Sequence, residues 1–363
     1  MTTIQVSDPR AALLAARAGL DAAFARVLEG GRYILGEEVA AFEREWADHC
    51  GTAHCVGVSS GTDALALGLR ALGVGPGDDV LVPAMTALAT WMAVAQIGAR
   101  PVGVDIEPAS RGMNPELADA AIGPRTRAIV AVHLFGQPAR VDDLLAVART
   151  RGLPLVEDAA QAHGAAVGGR AAGSLGALAA FSFYPTKNLG TLGDAGAVTT
   201  ADPRVADRVR LLREYGWRTR DDSEVEGVNA RLDELQAALL RVMLPGLTAA
   251  NARRAQIAAA YSAELAEVSG LTLPAPVPGT TPAWHLYVVG HAERDRLRER
   301  LASAGIGSSV HYAPAPHLNT AFGGAPGTFP VAEHHARTAV TLPLHPALGD
   351  TDVERVIAAV RSA

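Results

Sequence analysis

Short apolar runs rich in β-branched residues alternate along this chain with alanine- and leucine-rich stretches of helical period. The runs are CVGVSS (55–60), DVLVPA (79–84), RPVGVDI (100–106), AIVAVHLF (128–135), LPLVEDA (153–159), AAFSFY (179–184) and AGAVTT (195–200). Between several of them lie helical segments such as TDALALGLRALG (62–73) and VDDLLAVARTRG (141–152). Near-continuous apolar strands are buried on both faces, and helical crossovers join parallel neighbours. The pattern therefore predicts an α/β fold with a mostly parallel sheet under helices, and the short link at 185–194 allows one antiparallel neighbour. From about residue 250 the pattern changes to a long helix through 250–268, a proline-rich link at 273–284, the run HLYVVGH (285–291) and the helix RDRLRERLASAG (294–305). A second, smaller α+β lobe follows, with expected domains of 1–248 and 249–363.

Composition narrows the class. With 363 residues and 49% hydrophobic content, the chain can bury one large core and a smaller companion. A formal charge of −6 without a basic block leaves no electrostatic footprint for nucleic acid. The first twenty residues lack a basic-led signal pattern, and no apolar run reaches spanning length, so a cytoplasmic protein is expected. Cys50 and Cys55, beside His49 and His54 in DHCGTAHC, invite a zinc reading. Gly51 reads as a helix C-cap and CVGVSS as a buried strand, so the four side chains share no direction, and structural cysteines are expected.

The chemistry concentrates at strand ends. Lys187 is the only lysine, every other Lys/Arg position being arginine. Arginine can do lysine's surface work, but it cannot lose a proton and condense with an aldehyde, so Lys187 is a candidate for covalent chemistry. It lies in FSFYPTKNLGTLGDAG, flanked by Ser182 and by Gly190, Gly193 and Gly196, which let the backbone fold tightly. SSGTDALALGL places Gly61 and Thr62 where a strand becomes a helix, a natural anion site and equally an ordinary N-cap. VEDAAQAHG puts Asp158 beside Glu157 at an apolar strand end, where a carboxylate needs a cation or a donor; a protonated ring nitrogen would serve, as would a structural ion pair. Gln161 and His163 follow at spacings that can face the same pocket. A phosphate-binding helix start, a carboxylate for a ring nitrogen and a lysine for an aldehyde together describe a pyridoxal phosphate (PLP) site.

At these residues the chain resembles the DegT/DnrJ/EryC1/StrS family of sugar aminotransferases. The likeness runs from GRYILGEEVAAFE (31–43) nearly to the end, through SSGTDALALGLRALGVGPGD, VHLFGQPA, EDAAQAHGA, FSFYPTKNLGTLGDAGAVTT, NARLDELQAALLRV and GIGSSVHYAPAPHL. It implies PLP fold type I, similar to aspartate aminotransferase. It also implies that Lys187 forms the Schiff base and moves the proton, that Asp158 holds the ring nitrogen, and that Gln161 approaches the ring hydroxyl. Gly61, Thr62 and Ser182 would bind the phosphate, joined by Asn229 from a partner subunit in a homodimer with shared active sites; Asn229 also reads as the N-cap of the following helix.

Relatives that dehydrate a deoxysugar carry histidine at the lysine position, so the lysine favours transamination. An amino acid, with glutamate expected, would supply the amine for a keto sugar. The segment VPAMTALATWMAVAQIGARPV looks like the version found in enzymes acting at C3 of nucleotide-linked deoxysugars, as in macrolide amino-sugar pathways, which points to a dTDP-3-keto-6-deoxyhexose; Trp91 could instead be a packing residue. Many family members have an aromatic residue after the threonine, where this chain has Ala87 and Leu88, so the pocket is expected to be roomier or filled by Met85. Substrate contacts are expected from Tyr184, His163, His311 and Tyr312, with His317 near the nucleotide-sugar end and Tyr33 and Arg218 reaching across the dimer. The pair His334–His335 reads as solvated surface. The rival functions are C4 or cyclitol amination by the same machinery and, from another class, a non-catalytic PLP-binding regulatory protein.

Overall fold

The computed structural model describes residues 3–362. Seven strands form the main sheet in the order His54–Val58, Gly196–Thr200, Leu178–Ser182, Leu155–Asp158, Thr126–Val132, Asp79–Pro83, Arg100–Val104. Gly196–Thr200 runs antiparallel to both neighbours and every other pairing is parallel, as the short link after FSFY allows.

Period-two side-chain alternation explains the continuous apolar runs. Val56, Val80, Val82, Val130 and Ala180 point into one core layer, under the helices Gly61–Ala71 and Pro203–Leu212. Their neighbours Cys55, Ala179 and Phe181 join a second layer around Phe42 and Trp46 of the helix Glu37–Cys50. Both faces are dry, so neither can be polar. Cys50 and Cys55 are free and buried in this second layer, where loss of solvation pushes both thiols up.

A buried carboxylate ties the sheet's carboxyl edge together. Glu157, wholly buried, accepts the N–H groups of Gly173 (2.8 Å), Leu175 (2.8 Å) and Gly176 (2.9 Å), and faces His133 Nε2 at 3.0 Å. His133 Nδ1 accepts the Ala139 N–H at 3.1 Å, so Nε2 carries the proton and donates to Glu157. Burial pushes the Glu157 carboxyl up, yet the His133 and glycine donors together outweigh it and leave the group below its ordinary value.

The helix Leu247–Glu264 leads into the small lobe, whose sheet contains Leu271–Thr272, Tyr287–His291 and Ala339–Leu342. The expected boundary assigns all of 1–248 to the large lobe, but Ile4 packs in the small-lobe core and bridges to Ile306, because that sheet's helices leave an apolar slot that the chain start fills. Across the lobes, the Asp105 carboxylate accepts the N–H groups of Val331 (3.0 Å) and Ala332 (2.9 Å) at the start of the helix Pro330–Thr338, where an anion meets the helix dipole favourably. His335 on that helix is buried, not solvated as its sequence pattern suggested. Its Nε2 donates to the His311 carbonyl at 3.1 Å, and only His334 of the pair is exposed. No helix among the described residues is long and apolar enough to cross a membrane.

Replacing Glu157 with Gln would turn an amide N–H₂ toward two of the four donors. We expect a loss of about 3 kcal/mol in urea unfolding at neutral pH. Because the folded carboxyl titrates below its ordinary 4.5, its stabilisation is present above that value and fades as pH falls through the lowered one, so the deficit should narrow in acid.

Candidate active site

Five chain segments converge on a cavity of about 230 Å³ at the carboxyl edge of the main sheet. Its walls include Gly61, Thr62, Thr86, Thr90, His133, Asp158, Gln161, Ser182, Tyr184 and Lys187. Strand ends position them all, since a parallel sheet turns its loops and helix starts outward at one edge.

At one end, the helix Gly61–Ala71 begins with Ser60 as its cap, whose hydroxyl accepts the Asp63 N–H at 3.1 Å. The Asp63 carboxylate is held by Ser59 and Ser60. The N–H groups of Gly61 and Thr62 find no acceptor among the described residues and are open to an anion. Ser182 closes the other side of this cradle. A Cβ on Gly61 would stand 2.5 Å from the Ser182 Cβ, so only glycine lets the helix start and the strand end come this close.

Lys187 enters from a turn. The strand stops at Ser182, not at Tyr184 as the apolar run suggested, because the Lys187 N–H donates to the Tyr184 carbonyl at 2.8 Å and bends the chain. A Cβ at Gly190 would lie 2.6 Å from the Pro185 carbonyl, so this turn also needs glycine. The Lys187 amine has no ion-pair or hydrogen-bond partner among the described residues. Loss of solvation lowers its pKa to about 8, and the Asp158 charge opposes that fall.

Asp158 faces the cavity from the strand Leu155–Asp158. Its Oδ2 accepts the Thr90 hydroxyl at 2.7 Å and its Oδ1 the Ala160 N–H at 3.2 Å. Gln161 bridges the lobes: Oε1 accepts the Phe135 N–H at 2.6 Å and Nε2 donates to the Tyr312 hydroxyl at 2.7 Å. Tyr312 is thus engaged with Gln161, and burial pushes its hydroxyl up to about 12.

Several expected contacts lie elsewhere. His163 is fully buried outside the cavity, against Trp46, Phe181 and Phe183, with Nε2 on the Ser182 carbonyl at 2.9 Å; burial first and Lys187 second lower it to about 3, and it holds the strand end from beneath. His311 meets Thr341 Oγ1 at 2.7 Å, and burial with Lys187 nearby lowers it to about 4. His317 is paired to Glu333 at 3.1 Å. Trp91 packs against Phe322 and donates to the Pro83 carbonyl at 3.0 Å, which makes it a packing residue here. Met85 is wholly buried and does not fill the cavity, while Ala87 and Ala89 line it.

Asn229 is exposed and does not cap a helix. The helix Glu234–Met243 begins at Asp233, and the Glu234 carboxylate instead accepts the Gly36, Glu38 and Val39 N–H groups at the start of Glu37–Cys50. Tyr33 is exposed and donates to the Leu28 carbonyl at 3.1 Å, and Arg218 is paired with Asp207 and Glu224. Neither lines the cavity of its own protomer.

Thr86, Thr90 and His133 were missed from sequence. The i, i+4 spacing of the two threonines just after a strand end was the available signal. The residues present fit a PLP group: amides and a hydroxyl for a phosphate, a carboxylate for a ring nitrogen and an amine for an aldehyde.

Comparison with known proteins bears on the same residues. The model of the DegT/DnrJ/EryC1/StrS aminotransferase family matches residues 16–361. The chain is 50% identical to a dTDP-3-amino-3,4,6-trideoxy-alpha-D-glucose transaminase of Streptomyces venezuelae, over 98% of this chain and 94% of the relative. It is also 50% identical to the erythromycin biosynthesis sensory transduction protein EryC1 of Saccharopolyspora erythraea, over 98% of each chain. The crystal structure of S. venezuelae DesV with a ketimine intermediate superposes with a TM-score of 0.98 at 48% identity, covering 100% of this chain and 98% of that one. The chain belongs to the DegT/DnrJ/EryC1/StrS aminotransferase family.

Proposed function

We propose that this protein is a PLP-dependent aminotransferase that moves an amino group from an amino acid, with L-glutamate as donor, to C3 of a dTDP-3-keto-6-deoxyhexose in amino-sugar biosynthesis. The observation that carries the chemistry is the convergence of Lys187 and Asp158 on one cavity that ends at the open amides of Gly61 and Thr62. Half identity to a dTDP-3-amino sugar transaminase over nearly the whole chain supports the sugar and the carbon.

When bound, PLP supplies an aldehyde and an electron-withdrawing ring. The Gly61 and Thr62 amides and the Ser182 hydroxyl would hold its phosphate, Asp158 would accept the ring N–H, and Gln161 would lie toward the ring hydroxyl. Lys187 is the residue whose amine would hold the aldehyde covalently and, when free, would hold and move a proton at its Nζ. Tyr184, on the cavity wall, would border the sugar. The working unit in this reading is a homodimer: Phe24, Leu28, Tyr33, Tyr184 and Leu192 are each more than half exposed, an apolar surface that a second copy would cover; the exposed Asn229 would reach its site, and Arg218 would do so by leaving Asp207 and Glu224.

Lys187→Ala is expected to abolish the visible absorbance of the PLP-loaded protein and to cut turnover on the order of a thousand-fold. An ammonium cannot attack an aldehyde, so PLP capture by the cofactor-free protein should rise with pH through about 8 and then level off, whereas an ordinary lysine would keep rising toward 10.5. Stopped-flow absorbance would measure it, and a midpoint near 10 would contradict the lysine's assigned surroundings. Titrating the yellow protein separately with dTDP-3-amino and dTDP-4-amino deoxysugars runs the half-reaction backwards. Bleaching by the 3-amino sugar alone is expected; bleaching only by the 4-amino sugar would move the reaction to C4, and a protein without the band would favour a non-enzymatic role.

A further inference from the structure

We infer that Thr90 is a positioning residue for Asp158, and that Thr86 and Thr90 form a one-way hydroxyl chain that sets the carboxylate's orientation toward the cofactor ring. This rests on the PLP reading above.

Thr86 and Thr90 straddle the start of the helix Leu88–Gln96, and each is only 1% exposed. Thr90 Oγ1 lies 2.7 Å from Asp158 Oδ2 and 2.8 Å from Thr86 Oγ1. A carboxylate only accepts, so the Thr90 proton points to Asp158. The Thr90 oxygen then has lone pairs to offer and no proton left, so Thr86 must donate to it. Each bond polarises the next, and the direction is Thr86 to Thr90 to Asp158.

The chain serves orientation because Asp158 is tethered from two unrelated elements. Oδ2 is held by the helix that joins Asp79–Pro83 to Arg100–Val104 and Oδ1 by the Ala160 N–H just beyond its own strand. Two tethers on two oxygens fix the plane of the carboxyl group, and the remaining lone pairs are available to a ring N–H from the cavity that Asp158 and Thr90 both line. A helix threonine ordinarily returns its hydroxyl to a carbonyl one turn back. Here the hydroxyl is spent on Asp158 instead.

The test compares Thr90→Val, Thr90→Ser and Thr86→Val in the full-length, PLP-loaded protein. Valine keeps the shape and β-branching of threonine and deletes the donor, leaving Asp158 Oδ2 unpaired. Three readouts are needed: the PLP dissociation constant from visible titration, the pH midpoint of the visible band, and the unfolding temperature. Thr90→Val should weaken PLP binding about ten-fold and move the midpoint, as expected for one lost hydrogen bond to a charged group. Thr90→Ser should restore both, and Thr86→Val should move both in the same direction by less. A Thr90→Val protein with unchanged affinity and midpoint would overturn the inference, as would a serine variant that lowers the unfolding temperature without rescuing the band. Should Thr90→Val fail to fold, Thr86→Val decides by the same two optical readouts. A wild-type protein that takes up no PLP would overturn the cofactor reading itself, an outcome separate from any difference among the variants.

Discussion

The carboxyl edge of the main sheet depends on one buried anion. Glu157 sits where no water reaches, and its charge is stable only because three backbone amides and the His133 ring converge on it. Those donors come from the loop after Leu155–Asp158 and from the end of Thr126–Val132, so satisfying the charge also locates both. His133 returns the constraint through its backbone, whose N–H donates to the Asp158 carbonyl at 3.1 Å. The strand end that presents Asp158 is thereby held by its neighbouring strand, and little freedom is left at the residue on which the ring chemistry would turn.

The cavity itself is built on opposite principles at its two working groups. Asp158 is surrounded by donors that fix its geometry, whereas Lys187 is left without a partner, so that desolvation lowers its pKa and makes the amine available near neutrality. Burial also lowers His163, His285 and His311, and in each the Lys187 charge adds to the effect, so the rings nearest the lysine are neutral and do not compete as cations. Contacts between the lobes reinforce this arrangement. Gln161 is held by Phe135 and Tyr312 at once, and Asp105 anchors the helix Pro330–Thr338, so the small lobe is tied to the large lobe beside the site.

The strands and the helices between them were legible because a sheet covered on both faces must be apolar at every position, and a helix on such a sheet must be amphipathic. The antiparallel strand was legible from a link too short for a crossover. Lys187 stood out by being the only lysine, and Asp158 by being a carboxylate at the end of a buried run. Less was visible where a residue's meaning depends on which way its side chain points. Trp91 and Thr90 are adjacent in sequence, yet Trp91 turns into the packing against Phe322 while Thr90 meets Asp158. His335 lies in a polar-looking stretch and is buried, packed near Phe135 with its ring on the His311 carbonyl.

Sequence alone determined the architecture, the presence of a single lysine and the family, because these follow from periodicity, composition and ordered local motifs that need no knowledge of distant contacts. Tertiary structure decided which side chains share the cavity. Thr90 and Asp158 are 68 residues apart in the chain, and Gln161 and Tyr312 are 151 apart, and hydrogen bonds at 2.7 Å depend on crossovers and lobe packing that no local pattern encodes. The roles of His163 and Trp91 were settled the same way: both are ordinary polar aromatics on apolar faces, and only the packing around them assigns one to support a strand end and the other to fill a gap between lobes.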